Sequence, residues 1–399
     1  MATTARDSTQ ATYHPGTSGI RELERVRSLD IARGVVMILM AIDHVRVYSG
    51  VPAGGPSFGV FFTRWVTHFA APAFAFLAGT GAFLHGIKLD DRRALGKFLA
   101  IRGAILIALE LTVLREAWTF NLDFAGYNLA GVIWMLGWCM ILMAALVQLP
   151  TTAVGIIGVL LMVGQDAFNA IGAALPSAIG KFLYLGGAVE VGAKGPPILI
   201  LYVIVPWIGV MAAGYWFGTI MTKPLDERRR ACARLGWAMT IAFVAIAGAM
   251  VLTHPAPAGQ NAPPALLRML NQRKYPASQL FLLMTLGPTI LFVGYAEEMR
   301  GAFGRVMSTY GRVPLFYYLL HIPLIHLSAV VVSLIREGGI NPWLFANHPM
   351  NPGPAPAGYR WGLGLLYLVF AIDVALLYIP CRWFAALNSR NRSGLLRFL

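Results

Sequence analysis

The chain has 399 residues, of which 57% are hydrophobic and 13% charged, with a formal charge of +14. Soluble domains carry about a quarter charged residues, so this balance excludes an ordinary water-soluble globule and points to lipid as the solvent. The basic residues cluster at the ends of apolar runs, which reads as control of membrane topology and not as nucleic-acid binding.

Residues 1–24 are polar and irregular, with neither an apolar core nor a cleavage pattern, so they are expected to be a disordered tail and not a cleaved signal peptide. Apolar runs bounded by charges or Pro/Gly follow near 29–48, 63–87, 97–116, 129–149 and 152–173. A second set lies near 198–221, 235–252, 279–297, 313–335 and 361–383. The runs are of the length a helix needs to cross the hydrocarbon core, which predicts an all-α polytopic membrane bundle of about ten transmembrane helices.

Alternate connections carry the basic clusters. Arg21, Arg25 and Arg27 fall on one face with Lys88, Arg92, Arg93 and Lys97. Lys223, Arg228, Arg229, Arg230 and Arg234 share it, as do Arg300, Arg305 and Arg312, and finally Arg382, Arg390, Arg392 and Arg397. Excess Lys and Arg mark the cytoplasmic side, so both termini are expected there. Residues 25–385 read as one transmembrane domain and 386–399 as a basic cytoplasmic tail. No connection holds a G-x-x-x-x-G-K-[ST] or G-x-G-x-x-G pattern, which argues against an ATP-driven pump. The halves lack matching broken spans, which disfavours an inverted-repeat transporter. Cys139, Cys232 and Cys381 are too scattered for a metal site or disulfide framework and read as free thiols.

Ionisable side chains are costly in a bilayer and are therefore the main functional pointers. Asp30 and Arg33, three apart at the start of the first run, share a helix face; they form either an ion pair or a receiver for an anionic ligand. Asp43, His44 and Arg46 lie at the far end of that run, and Arg64 and His68 at the start of the next. Glu110, Arg115 and Glu116 end the third run on the same side, so an acid–base cluster is expected there. The small residues around Gly79 and Gly81 read mainly as helix packing.

In the ninth run His321 lies about 13 Å beyond Arg312, and Pro314 and Pro323 flank it. His326 is about 140° around the helix from His321, so the two cannot line one narrow site. Asp373, deep in the tenth run, is a candidate partner for either. The trio reads equally as a buried hydrogen-bond network. No H-x-x-x-H or H-E-x-x-H spacing occurs, and no metal cofactor is expected.

The stretches Arg27-Ser28-Leu29-Asp30-Ile31-Ala32-Arg33-Gly34 and Met37-Ile38-Leu39-Met40-Ala41-Ile42-Asp43-His44 resemble the first span of the heparan-α-glucosaminide N-acetyltransferase family and its bacterial relatives of undefined substrate. Ala71-Pro72-Ala73-Phe74-Ala75-Phe76-Leu77-Ala78-Gly79 is similar to the family's second helix. Lys274-Tyr275-Pro276 and Gly311-Arg312-Val313-Pro314-Leu315-Phe316-Tyr317-Tyr318-Leu319-Leu320-His321 resemble the bacterial branch. The resemblance implies a transmembrane acetyltransferase that takes acetyl-CoA from the cytoplasm and acylates a sugar on the opposite side. The lysosomal member's proposed catalytic histidine lies in the first outer loop. Residues 45–67 hold none here, so the role would fall to His44 or His68, which flank that loop.

The resulting expectation is transfer of an acyl group, most simply acetyl, from cytoplasmic acyl-CoA to an amine or hydroxyl of a saccharide or envelope glycan. Arg33 and Arg312, with Asp30, would hold CoA; His44 or His68 would act as general base oriented by Asp43. Arg64 or a helix-end N–H would stabilise the oxyanion, with Glu110, His321 and Asp373 on the substrate side. An acyl-histidine route is the chemical alternative. The rival classes are a proton-coupled transporter or flippase using Asp43, His321 and Asp373, and a scaffold whose buried charges only fix packing. Acetyl-CoA is the expected co-substrate and the bilayer the expected partner; nucleic acid is not expected, and homodimerisation is left open. The missing leader and the plain composition suggest a bacterial inner membrane.

Overall fold

The computed structural model describes residues 26–55, 57–126, 128–192, 195–255, 263–346 and 354–390. The expected polar tail (1–24) and residues 391–399 of the expected basic tail lie outside them.

The apolar runs are mostly helical, although the runs 129–149 and 198–221 each open in a short strand. Helix α1 (Arg27–Ser49) closes at Gly50, whose φ of 68° suits a residue without a Cβ. Helix α2 (Phe58–Trp65) starts under a Ser57 side-chain cap and continues through a 3-10 turn into α3 (Ala70–Leu89). Asp91 caps α4 (Arg92–Leu109), which loosens into a π turn at Glu110–Leu114 before α5 (Arg115–Thr119). Strand β1 (Asn128–Ala130) leads into α6 (Val132–Leu146). Then come α7 (Thr151–Val163), α8 (Gln165–Ala174) and the single turn α9 (Ser177–Gly180). Strands β2 (Gly187–Glu190) and β3 (Pro197–Ile200) precede α10 (Val205–Met221), α11 (Leu225–Thr253) and α12 (Ala265–Leu270). The chain ends with α13 (Gln279–Ala296), α14 (Gly301–Arg312), α15 (Pro314–Glu337) and α16 (Leu363–Arg390).

Two features depart from the sequence reading. A three-stranded sheet in the order β1-β3-β2 joins two connections, with β1 parallel and β2 antiparallel to β3. Residues 301–312, read as part of a basic loop, form α14, which buries Gly304, Met307, Tyr310 and Gly311. The basic residues hid its apolar stripe. Pro314 occupies the first turn of α15, where no backbone bond is lost, and α15 runs unbroken through Pro323.

Among the described residues, five helical stretches are long and apolar enough to cross a membrane: Phe58–Leu89, Leu225–Thr253, Gln279–Ala296, Pro314–Glu337 and Leu363–Arg390. The bent pair α7–α8 would add a sixth, and α6 and α10 are shorter apolar helices. Helices α1 and α4 fall short because charges interrupt them, Asp30, Arg33, Asp43 and Arg46 in the first and Arg92, Arg93, Lys97 and Arg102 in the second. The protein is an integral membrane protein. All three cysteines are buried free thiols.

Helix α1 is the hub and packs against α3, α13, α14, α15 and α16. Its tightest crossing uses two glycines: a Cβ on Gly311 would overlap the Asp30 carbonyl oxygen, and one on Gly34 the Met307 carbonyl oxygen. Gly79 and Gly214 play the same part between α3 and α10, in line with the packing role read for Gly79. Because the obstacle is backbone, Gly311→Val should lower stability by about 3 kcal/mol or more. Gly248→Ala on α11 has open space and should be neutral or stabilising. Thermal unfolding in detergent measures both.

Candidate active site

At one end of α1 the last turn is tied down from three directions. The Tyr48 hydroxyl donates to the Trp118 carbonyl (2.6 Å), the Tyr359 hydroxyl donates to the Tyr48 carbonyl (2.7 Å), and the Trp361 N–H donates to the Ser49 carbonyl (2.9 Å). This fixes α5 beside α1 and places Trp118 edge-on to the His44 ring, 4.8 Å between centroids.

The half-buried His44 meets His321 of α15, with Nδ1 of His44 2.6 Å from Nε2 of His321. His321 is fully buried, and its Nδ1 lies 2.7 Å from the Tyr318 carbonyl and 3.2 Å from that of Tyr317. Carbonyls only accept, so the hydrogen-bond network assigns the proton to His321 Nδ1 and the lone pair to its Nε2. His44 Nδ1–H therefore donates to His321, and His44 Nε2 carries a lone pair with no partner among the described residues. Tyr318 lies beside both rings, 5.0 Å from His321 and 6.2 Å from His44.

His68 stands in a second cluster on the same side. It is 9% exposed, its Nδ1–H donates to the carbonyls of Arg64 and Trp65 (3.1 Å each), and its ring abuts Phe281. Asp43 accepts from Arg46 Nε at 2.7 Å, so it engages Arg46 and not the His44 imidazole as the sequence reading expected. Lys274 and Arg64 act electrostatically on both Asp43 and His68. Lys274 is 8% exposed and its ammonium faces Tyr202 (5.7 Å) and Tyr275 (5.1 Å), whose hydroxyls hydrogen-bond at 3.2 Å. Arg64 itself donates to the Ala53 carbonyl at 3.1 Å.

The other sequence candidates fall elsewhere. Glu110 is 2% exposed and accepts from the N–H groups of Ile133 (3.0 Å) and Trp134 (3.2 Å). The π turn aims it at the α6 N-terminus, which has no side-chain cap of its own, so Glu110 satisfies the orphan donors there. Asp373 accepts from Ser328 at 2.6 Å and, among the described residues, hydrogen-bonds to neither histidine. His326 stacks between Tyr48 (4.6 Å) and Phe120 (3.9 Å), a packing position that locks α15 to α5.

Toward the other end of α1 lies a cavity of about 490 Å³. Arg33, Arg102, Arg312, His85 and Ser389 line its polar part. Apolar walls from Met37, Ala78, Leu99 and Met140 continue to Ile133 and Tyr318. Arg33 donates to the Leu77 carbonyl (3.0 Å) and lies 3.6 Å from Asp30. Arg102 stands close enough to Arg33 for their charges to interact, and its buried Nε has no hydrogen-bond partner among the described residues. Tyr318 thus borders both the cavity and the histidine pair.

The sequence reading did not single out Arg102 or Trp118, and met Lys274 and Tyr318 only within resembling stretches. Arg102 had a signal, since it is a charge inside the 97–116 run and the depth rule that selected His321 applies to it equally. Trp118 had none, and nothing within its stretch set Tyr318 apart, because the importance of both depends on what packs against them.

No curated protein matches the chain. A family model described as heparan-alpha-glucosaminide N-acetyltransferase, catalytic, matches residues 25–254, more than half of the chain. The matched segment holds Arg33, Asp43, His44, Arg64, His68, Arg102 and Glu110, and therefore α1's share of the histidine pair and much of the cavity wall. The chain belongs to the heparan-alpha-glucosaminide N-acetyltransferase catalytic family.

Proposed function

We propose that the protein transfers an acyl group, most simply acetyl, from cytoplasmic acyl-CoA to an amine or hydroxyl of a saccharide or envelope glycan on the outer face of a bacterial inner membrane. The observation that carries this reading is the cavity bounded by three arginines at one end and by Tyr318, with the His44–His321 pair behind it, at the other. In this reading the chain crosses the bilayer ten times with both termini inside, which puts the Arg33, Arg102 and Arg312 end in the cytoplasm. CoA is an elongated polyanion with a thin, largely apolar arm ending in a thioester. The arginines match its diphosphate and the apolar walls its arm.

At the Tyr318 end the acceptor nitrogen or oxygen attacks the thioester carbon while His44 Nε2 takes its proton. The tetrahedral intermediate collapses by breaking the C–S bond, and the same proton returns to the departing thiolate, so CoA leaves as the free thiol. His321 holds His44 in the tautomer whose Nε2 is unprotonated, the role a fixed acceptor plays for any imidazole base. The Tyr318 hydroxyl is the donor best placed to stabilise the oxyanion. Asp43, Arg64, His68 and Lys274 line the acceptor side. The transporter reading fares less well: Asp43 is engaged by Arg46 and Asp373 by Ser328, so neither forms a proton chain with His321.

The test is CoA release from acetyl-CoA by the purified protein in nanodiscs, offered a panel of amino sugars. Turnover with at least one acceptor is expected. Absence of acetyl-CoA binding together with absence of turnover sinks the reading.

A further inference from the structure

Beside the cavity mouth, between α14, α16 and the start of α1, lies a second cleft of about 640 Å³ lined by Arg27, Arg305, Ser308, Thr309, Arg312 and Arg382. Four guanidiniums converge here. Arg27 is anchored by its bond to the Met299 carbonyl (3.0 Å), while Arg305, Arg312 and Arg382 pair with no carboxylate among the described residues. Like charges gathered without counter-charge repel one another, and a bound anion relieves that repulsion. Arg312 lines both this cleft and the cavity, so the two adjoin at this side chain.

We propose that this cleft is a phosphomonoester site that takes the 3′-phosphate of CoA, an inference that rests on the acyl-CoA reading of the neighbouring cavity. A monoester carries close to two negative charges near pH 7 and three strong acceptor oxygens, and so engages several arginines at once. A phospholipid headgroup is the other source of phosphate, since Arg382 is flanked by the lipid-facing Ile379 (71% exposed) and Trp383 (62% exposed). Its phosphodiester carries one charge and two free acceptor oxygens, so it neutralises and engages fewer of the four guanidiniums than a monoester does. The shared Arg312 also favours the ligand whose diphosphate the acyl-CoA reading places at the cavity mouth. The cleft would thus select CoA over donors that share its arm but lack the 3′-phosphate.

The experiment compares Kd for acetyl-CoA and acetyl-dephospho-CoA in phosphatidylcholine nanodiscs, with the native protein and with Arg305→Gln and Arg382→Gln. Charge-assisted bonds of this kind predict a native preference for acetyl-CoA of roughly 10- to 100-fold. In either variant that preference should shrink to about threefold or less, with the loss confined to acetyl-CoA. Equal native affinity for both donors overturns the 3′-phosphate site while leaving the acyl-CoA reading intact. Binding of neither donor overturns both. Repeating the measurement with added phosphatidylglycerol separates the sources. If the variants lose binding of that lipid while keeping the native donor preference, the cleft is a headgroup site and the proposal fails.

Discussion

Replacing His44 by alanine is expected to lower the rate of acyl transfer by about 10²- to 10⁴-fold, the range a positioned general base contributes. Of the two paired rings, only His44 has a nitrogen lone pair left unengaged, because His321 donates to the Tyr317 and Tyr318 carbonyls and accepts from His44. His44 lines no part of the cavity, so acetyl-CoA affinity should stay within about threefold of native; the loss is therefore in kcat. His321→Ala removes the acceptor that holds the His44 tautomer and should cost less than His44→Ala but more than His68→Ala. Single-turnover acyl transfer together with a separate donor Kd measures all three. Native-like transfer in a folded His44→Ala protein, with transfer lost in His68→Ala, would move the base to His68.

The second large effect is expected from filling the cavity. Ala78 of α3 lines it and is only partly buried, so an indole at this position has the cavity to fill. Ala78→Trp should weaken acetyl-CoA binding by about 100-fold or more, equivalent to losing about 2.7 kcal/mol of binding free energy. The fold should tolerate it, in contrast to Gly311→Val, where an added methyl meets a carbonyl oxygen. Calorimetric titration with acetyl-CoA, paired with a thermal melt, separates the two causes. A stable Ala78→Trp protein that still binds acetyl-CoA at native affinity would show that the donor reaches the histidines by another path.

Much of the scaffold was legible in the chain. Helices Arg27–Ser49, Gln279–Ala296 and Pro314–Glu337 match the apolar runs 29–48, 279–297 and 313–335 to within two residues. That is because helix formation in lipid is a local requirement: each backbone N–H must find a carbonyl four residues away, and only an apolar run is tolerated there. Helix α14 was missed because its basic residues sit on one face and mask the small and apolar face that packs on α1. The site was legible only residue by residue. His44, His68, His321 and Asp373 stood out because an ionisable group inside an apolar run is costly wherever the run packs.

Their partners were a different matter. Sequence spacing offered Asp43 as the residue that orients His44, and Asp373 as a partner for His321 or His326. In the fold Asp43 turns to Arg46, Asp373 to Ser328, and His44 finds His321, 277 positions along the chain. The sequence by itself determined most of the apolar helices and which costly side chains they carry, since both follow from each segment's own contact with lipid. Only the tertiary structure decided that two of those side chains form one hydrogen-bonded pair beside an arginine-lined cavity, because hydrogen bonds about 3 Å long depend on how helices cross, and crossing is set by packing between segments far apart in the chain.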